Sequence, residues 1–134
     1  MTVTCQLVSG DRRCDHTAEL FGLDFPLRLE PTIFTFADRL SPEYHGGYWH
    51  FYTLGNGGFF MSPDTDGTFG VVSDNGYRGR ISADAFGVTA CLYAFNQLSF
   101  GEDGLADLCA RHYHLLREYA LEHAEVASIL AAID

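Results

Sequence analysis

Not one lysine occurs in the chain; all eight basic side chains are arginines, Arg12, Arg13, Arg28, Arg39, Arg78, Arg80, Arg111 and Arg117. A phosphate-binding P-loop needs the lysine of its GK[ST] signature and a Schiff-base enzyme needs an amine, so both classes are excluded. The four cysteines lack pattern. Cys5, Cys14, Cys91 and Cys109 show no CxxC spacing, which argues against a zinc site and, in a reducing compartment, for buried free thiols. Long apolar runs are missing too. The longest, Ala85 to Phe95, is interrupted by Gly87 and Thr89 and is too short to cross a bilayer. The opening MTVTCQLVSGDRRC has no basic segment followed by an apolar one, so no secretory signal, no membrane partner and a cytoplasmic location are expected.

What is present is apolar and acidic. The 134 residues are 47% apolar, enough for one domain, residues 1–134, with a sizeable core. Eighteen carboxylates against eight arginines leave a net charge of -10, which repels a phosphate backbone and disfavours direct DNA binding. No repeat, linker or low-complexity tract divides the chain.

The pattern along the chain predicts an α+β fold: a small antiparallel meander of three to four strands packed with several helices. After an extended start at Thr2 to Val8, Asp11 to Leu20 reads as a short helix closed by Gly22. Glu30 to Leu40 reads as a second, with Pro31 in its first turn and Ile33, Phe34, Ala37 and Leu40 at helical spacing. From Gly47 the residues favour strands, and Asn56-Gly57 signals a two-residue hairpin turn. Pairing outward from it sets Leu54 opposite Phe59, Thr53 opposite Phe60 and Tyr52 opposite Met61. Tyr48, Tyr52, Leu54, Phe59 and Met61 would then share one face, and Trp49, Phe51 and Phe60 the other. Gly67 to Ser73 and Tyr77 to Ile81 read as further strands about Asn75-Gly76. A sheet apolar on both faces needs cover on both, and two later helices are expected to supply it. One, capped by Ser82 with Asp84 in its first turn, is almost wholly apolar. The other, capped near Asp103, is expected to run to the chain end, with Glu118, Glu122 and Glu125 on one outer face.

No catalytic constellation emerges. His123-Ala124-Glu125 matches the HxE of zinc deaminases but lacks the following PCxxC, leaving His123 as a solvent-facing helical residue. His112 and His114 are two apart and point to different sides of a helix, so they cannot share a metal. No serine stands in a GxSxG frame, and Cys109 with His112 lies on a buried face. Stacking of single-stranded bases on the aromatic hairpin would need a cationic surround, whereas its loops carry Glu43, Asp64, Asp66 and Asp74 against Arg78 and Arg80. The rings therefore read as core. No metal and no cofactor are expected.

GGYWHFYTLGNGGFFMSPD together with SADAFGVTACLYAFNQLSF resembles the antirestriction family of ArdB and KlcA, over about residues 28 to 130. His45, Phe60 and Ser62 depart from the family's usual residues. The resemblance implies an α+β fold with a small antiparallel sheet enclosed by helices, relief of type I restriction of incoming plasmid or mobile-element DNA, and no cofactor or known reaction.

Three mechanisms then compete. The first is a non-enzymatic protein that binds the type I restriction-modification complex or a host factor controlling it. The second is an acidic DNA mimic, which needs a long dense stripe of carboxylates; the third is an enzyme resting on the scattered histidines. The candidate partner-binding residues are Tyr44, Tyr48 and His50 near the open end of the hairpin, Asp64, Asp66 and Asp74 in its neighbouring loops, and Glu118, Glu122 and Glu125.

Overall fold

The computed structural model describes residues 2–134. Strand β1 (Cys5–Val8) leads through a 3-10 turn into helix α1 (Arg13–Phe21), and a wide π-helical turn, Phe25–Leu29, runs directly into α2 (Glu30–Leu40). Pro31 explains the widening. In a continuous α-helix its ring would clash with the Leu27 carbonyl, whereas here the Glu30 N–H reaches back five residues to Phe25 O.

Strands β2 (Trp49–Leu54), β3 (Phe59–Pro63), β4 (Thr68–Val72) and β5 (Arg78–Ser82) follow, then helices α3 (Ala83–Leu98), α4 (Gly104–Ala120) and α5 (Val126–Ile133). The α+β expectation with small antiparallel pairings and several helices matches this architecture, but the strands do not form one meander. They make a three-stranded sheet in the order β1-β2-β3 and a separate two-stranded ribbon, β4-β5. The extended start supplies the edge strand, with Cys5 opposite Leu54 and Val8 opposite Phe51.

The register of the central hairpin differs by one residue from the expected one. Thr53 pairs with Phe59, Tyr52 with Phe60 and Phe51 with Met61. The loop has three residues, not two: the Gly57 N–H donates to Leu54 O, the Leu54 N–H donates to Gly58 O, and only Gly57 takes positive φ, at 94°. That is a turn followed by a left-handed glycine rather than a type I′ turn. Because side chains alternate, the slip exchanges faces. Trp49, Phe51, Phe59 and Met61 share one face, and Tyr52 stacks flat on Phe60 on the other, with centroids 4.7 Å apart. The loop at Asp74, Asn75 and Gly76 repeats the arrangement before β5.

Cover comes from both ends of the chain. Phe21 of α1 and Phe25 of the wide turn pack edge-on to Phe59, each at 5.7 Å, and Phe34 of α2 meets Trp49 at 5.4 Å. On the opposite face Tyr119 of α4 stacks on Phe60 at 5.4 Å. Helix α3 is buried nearly all round, as a helix apolar on every side must be, and its Ser82 cap accepts from the Ala85 N–H at 3.1 Å. Asp103 caps α4 in the same way. The expected single last helix breaks after Ala120, where Leu121 to Glu125 form turns before α5 begins. Cys91 and Cys109 are buried free thiols as expected, but Cys5, on the edge strand, and Cys14, on α1, are exposed.

Candidate functional site

At the open end of the β2–β3 hairpin, three predicted residues come together. The Tyr48 carbonyl accepts the Asp64 N–H at 2.8 Å, closing the hairpin mouth, and His50 Nε2 lies 2.8 Å from Asp64 Oδ1. The Tyr48 ring meets the His50 ring edge-on at 5.7 Å and is 55% exposed. Asp66 is exposed in the loop that follows. Tyr44 belongs to the core instead: it is 8% exposed, and its hydroxyl accepts the Trp49 indole N–H at 3.1 Å. Burial pushes its phenol up from the usual range.

The remaining predicted residues lie elsewhere. Asp74 pairs with Arg39 at 3.1 Å at the tip of the β4–β5 ribbon. Glu118 accepts from Asn56 Nδ2 at 3.1 Å, at the closed end of the β2–β3 hairpin, about 20 Å from Tyr48 at the strand rise. Glu122 accepts the Val3 N–H at 2.7 Å.

Glu125 overturns the expected outer stripe. Because α4 has ended, its carboxylate turns inward and takes the Ser82 N–H at 2.9 Å and the Ser82 hydroxyl at 2.5 Å. His123 turns inward with it, correcting the solvent-facing expectation. Its Nδ1 accepts the Glu125 N–H at 2.9 Å, which leaves Nε2 to donate to Asp84 Oδ2 at 2.6 Å.

These contacts are structural in kind: side chains of the last turns close the start of α3. Among the described residues, no three of His, Cys, Asp or Glu converge as a metal site. His112 is buried and its pKa is lowered to about 4, chiefly by burial and further by Arg111. Burial likewise pushes the Cys91 and Cys109 thiols up to about 12.

Beside the hairpin mouth lies a cleft that the sequence did not announce. It has a volume of about 470 Å³ and is lined from α1 by Cys14, Thr17 and Ala18, from the following turn by Leu23, Phe25 and Pro26, and at its base by Phe51. Arg13 joins it to the predicted cluster. The guanidinium lies 3.7 Å from the Phe51 centroid and 4.6 Å from that of Tyr48, and Nη1 donates to Trp49 O at 2.5 Å. Glu30 stands on the cleft wall, half-buried, its carboxyl held above the usual range by burial against the opposing pull of Arg13. The one signal that could have found this site is the density of apolar residues from Leu20 to Leu27, too high for a surface connection.

With that geometry in view, the comparisons with known proteins are specific. A family profile described as "Antirestriction protein" matches residues 42–134. Two Escherichia coli proteins, each named antirestriction protein KlcA, are similar to the chain. One is 50% identical over 81% of this chain and 76% of its own length, the other 41% identical over 98% and 95%. A putative antirestriction protein, YubI, of Escherichia coli K12 is 35% identical over 86% of this chain and 84% of its own length. A solved structure superposes with a TM-score of 0.92 at 39% identity, covering 100% of this chain and 96% of that one. It is described as a KlcA and ArdB fold that is novel and active against type I DNA restriction systems in vivo but not in vitro.

Proposed function

The chain belongs to the antirestriction protein family, and we propose that it relieves type I restriction of incoming DNA in the cytoplasm by binding, without turning over a substrate. Its partner in this reading is the type I restriction-modification complex or a host factor that controls it. The observation that carries the proposal is the full-length likeness to KlcA and ArdB, whose activity is described as present in vivo and absent in vitro. A protein that acts only in the cell needs something the cell supplies.

The distribution of charge favours binding over DNA mimicry. A mimic needs unpaired carboxylates at close spacing along a stripe. Here Glu43 is held by Arg80, Asp74 by Arg39, Asp103 by Arg28, and Glu125 by Ser82, so much of the acid neutralises or anchors the fold itself.

The test is plating of unmodified phage on hosts with type I and type II systems, followed by cleavage with purified type I enzyme. Protection against type I restriction in cells, with no inhibition of the purified enzyme, is the expected pair of results. Inhibition of the purified enzyme would favour occupation of its DNA channel. No protection in cells would overturn the proposal.

A further inference from the structure

The cleft beside Arg13 has the size of a binding site: about 470 Å³, within the range of roughly 300–1,000 Å³ usual for ligand pockets. Its apolar surface continues outward onto Leu23 and Leu27, which are 76% and 71% exposed. Large side chains so exposed on adjoining turns mark a surface that gains from being covered.

Charge selects what could cover it. Arg13 is already committed to Phe51, Tyr48 and the Trp49 carbonyl, and Arg28 is held by Asp103 at 2.5 Å with Asp24 nearby. Glu30, by contrast, has no side-chain hydrogen bond among the described residues, although it is half-buried. Asp15 and Glu19 are exposed on α1 and Arg12 just before it, so with Glu30 the open acid around the cleft outnumbers the open base. Arg13 attracts this carboxylate without bonding to it, and a half-buried carboxylate that accepts no hydrogen bond gains from an added charged donor.

We propose that this cleft docks an amphipathic basic segment of a protein partner, seating an apolar side chain against Phe25 and Phe51 and an adjacent arginine or lysine against Glu30. The inference rests on the binding reading above and specifies the chemistry of the partner's contact.

The probes are acetyl-Arg-Leu-Phe-Arg-amide and its acidic counterpart acetyl-Glu-Leu-Phe-Glu-amide, titrated into the whole purified chain by NMR. Cys14 on the cleft wall supplies a second readout, its alkylation by iodoacetamide in a Cys5→Ser background. The basic peptide is expected to bind and to slow Cys14 alkylation, and the acidic one to do neither. Glu30→Gln should weaken the basic peptide about tenfold, the loss of one charge-assisted contact. Ala18→Trp, which fills the cleft from an exposed helical position, should abolish binding and lower protection in restricting cells with the circular dichroism unchanged. Leu23→Arg, also at an exposed position, is the second variant should Ala18→Trp perturb the fold. Equal binding of both peptides, or of neither, overturns the assignment. So does a filled cleft that protects cells as well as the wild type. That last result leaves the functional reading intact, whereas failure of the wild-type chain to protect at all defeats the functional reading itself.

Discussion

Arg13 lies over the face of Phe51 at 3.7 Å from the ring centroid, so a charged residue from α1 shares with Glu30 the wall of a largely apolar cleft beside β2. The same guanidinium reaches the Trp49 carbonyl. One side chain thus ties the first helix to the central strand and shapes the candidate docking surface.

Replacing Arg13 should therefore be felt in stability as well as in binding. The cation–π contact and the carbonyl hydrogen bond together are worth about 1–3 kcal/mol, so Arg13→Ala should lower the urea unfolding free energy by that amount. Arg13→Lys should restore less than half, because an ammonium lacks the planar face and the fork of donors. An Arg13→Ala protein as stable as the wild type would mean that the contact carries no weight.

Gly87 is where α3 rests on β3. A Cβ there would overlap the Met61 carbonyl and lie 2.6 Å from Ser62 Cα, backbone atoms that cannot swing aside. Alanine is the better helix former by about 1 kcal/mol, yet the overlap should dominate and make Gly87→Ala destabilising by about 3 kcal/mol or more. A thermal melt that rises on this substitution would show that the two elements are not in such close contact.

Two acidic residues near the end of the chain should behave unequally. Glu125→Ala removes both acceptors of Ser82 and should cost about 2 kcal/mol, the usual worth of hydrogen bonds to a charged group. Glu118→Gln keeps an acceptor for Asn56 at an exposed site and should stay within about 0.5 kcal/mol of the wild type. Denaturant curves for the two variants decide this, and equal effects would restore the idea of one common outer face.

His112 predicts the acid limb of stability. It is only 3% exposed, and its pKa falls from 6.5 to about 4 on folding. Above the unfolded value both states are neutral and no penalty exists. As pH falls from 6.5 towards 4 the unfolded chain takes a proton that the folded chain refuses, so stability drops by up to ~1.4 kcal/mol per pH unit from this residue. His112→Phe, set among the rings of Phe21 and Phe95, should move the acid unfolding midpoint to lower pH. An unchanged midpoint would show that another group governs that limb.

The helix starts were legible because capping is local. Ser82 and Asp103 each announce a helix whose first free N–H groups lie within three residues of the capping oxygen. The hairpin was legible as a hairpin but not in register, since Asn56-Gly57 fits two loop lengths; in the longer one Asn56 accepts the Gly58 N–H and docks on the Leu115 carbonyl of α4, each at 2.9 Å. Asn75 of the second loop is held similarly, by Ala131 O at the end of α5. Of the candidate site, Tyr48, His50 and Asp64 were singled out from their place at the open end of the hairpin and in the loop beside it. Arg13 and Glu30 were not, because they come from helices brought beside β2 only when the core closes.

By itself the amino-acid order determined local events: which stretches bury rings, where helices begin, which chemistries lack their residues, and the resemblance that placed the chain in its family. Only the tertiary structure decided which face of the hairpin each ring occupies, that the last helix breaks so Glu125 can turn inward, and that a cleft opens beside Arg13. Those outcomes depend on contacts between residues far apart along the chain, whose energies exist only after the elements have met.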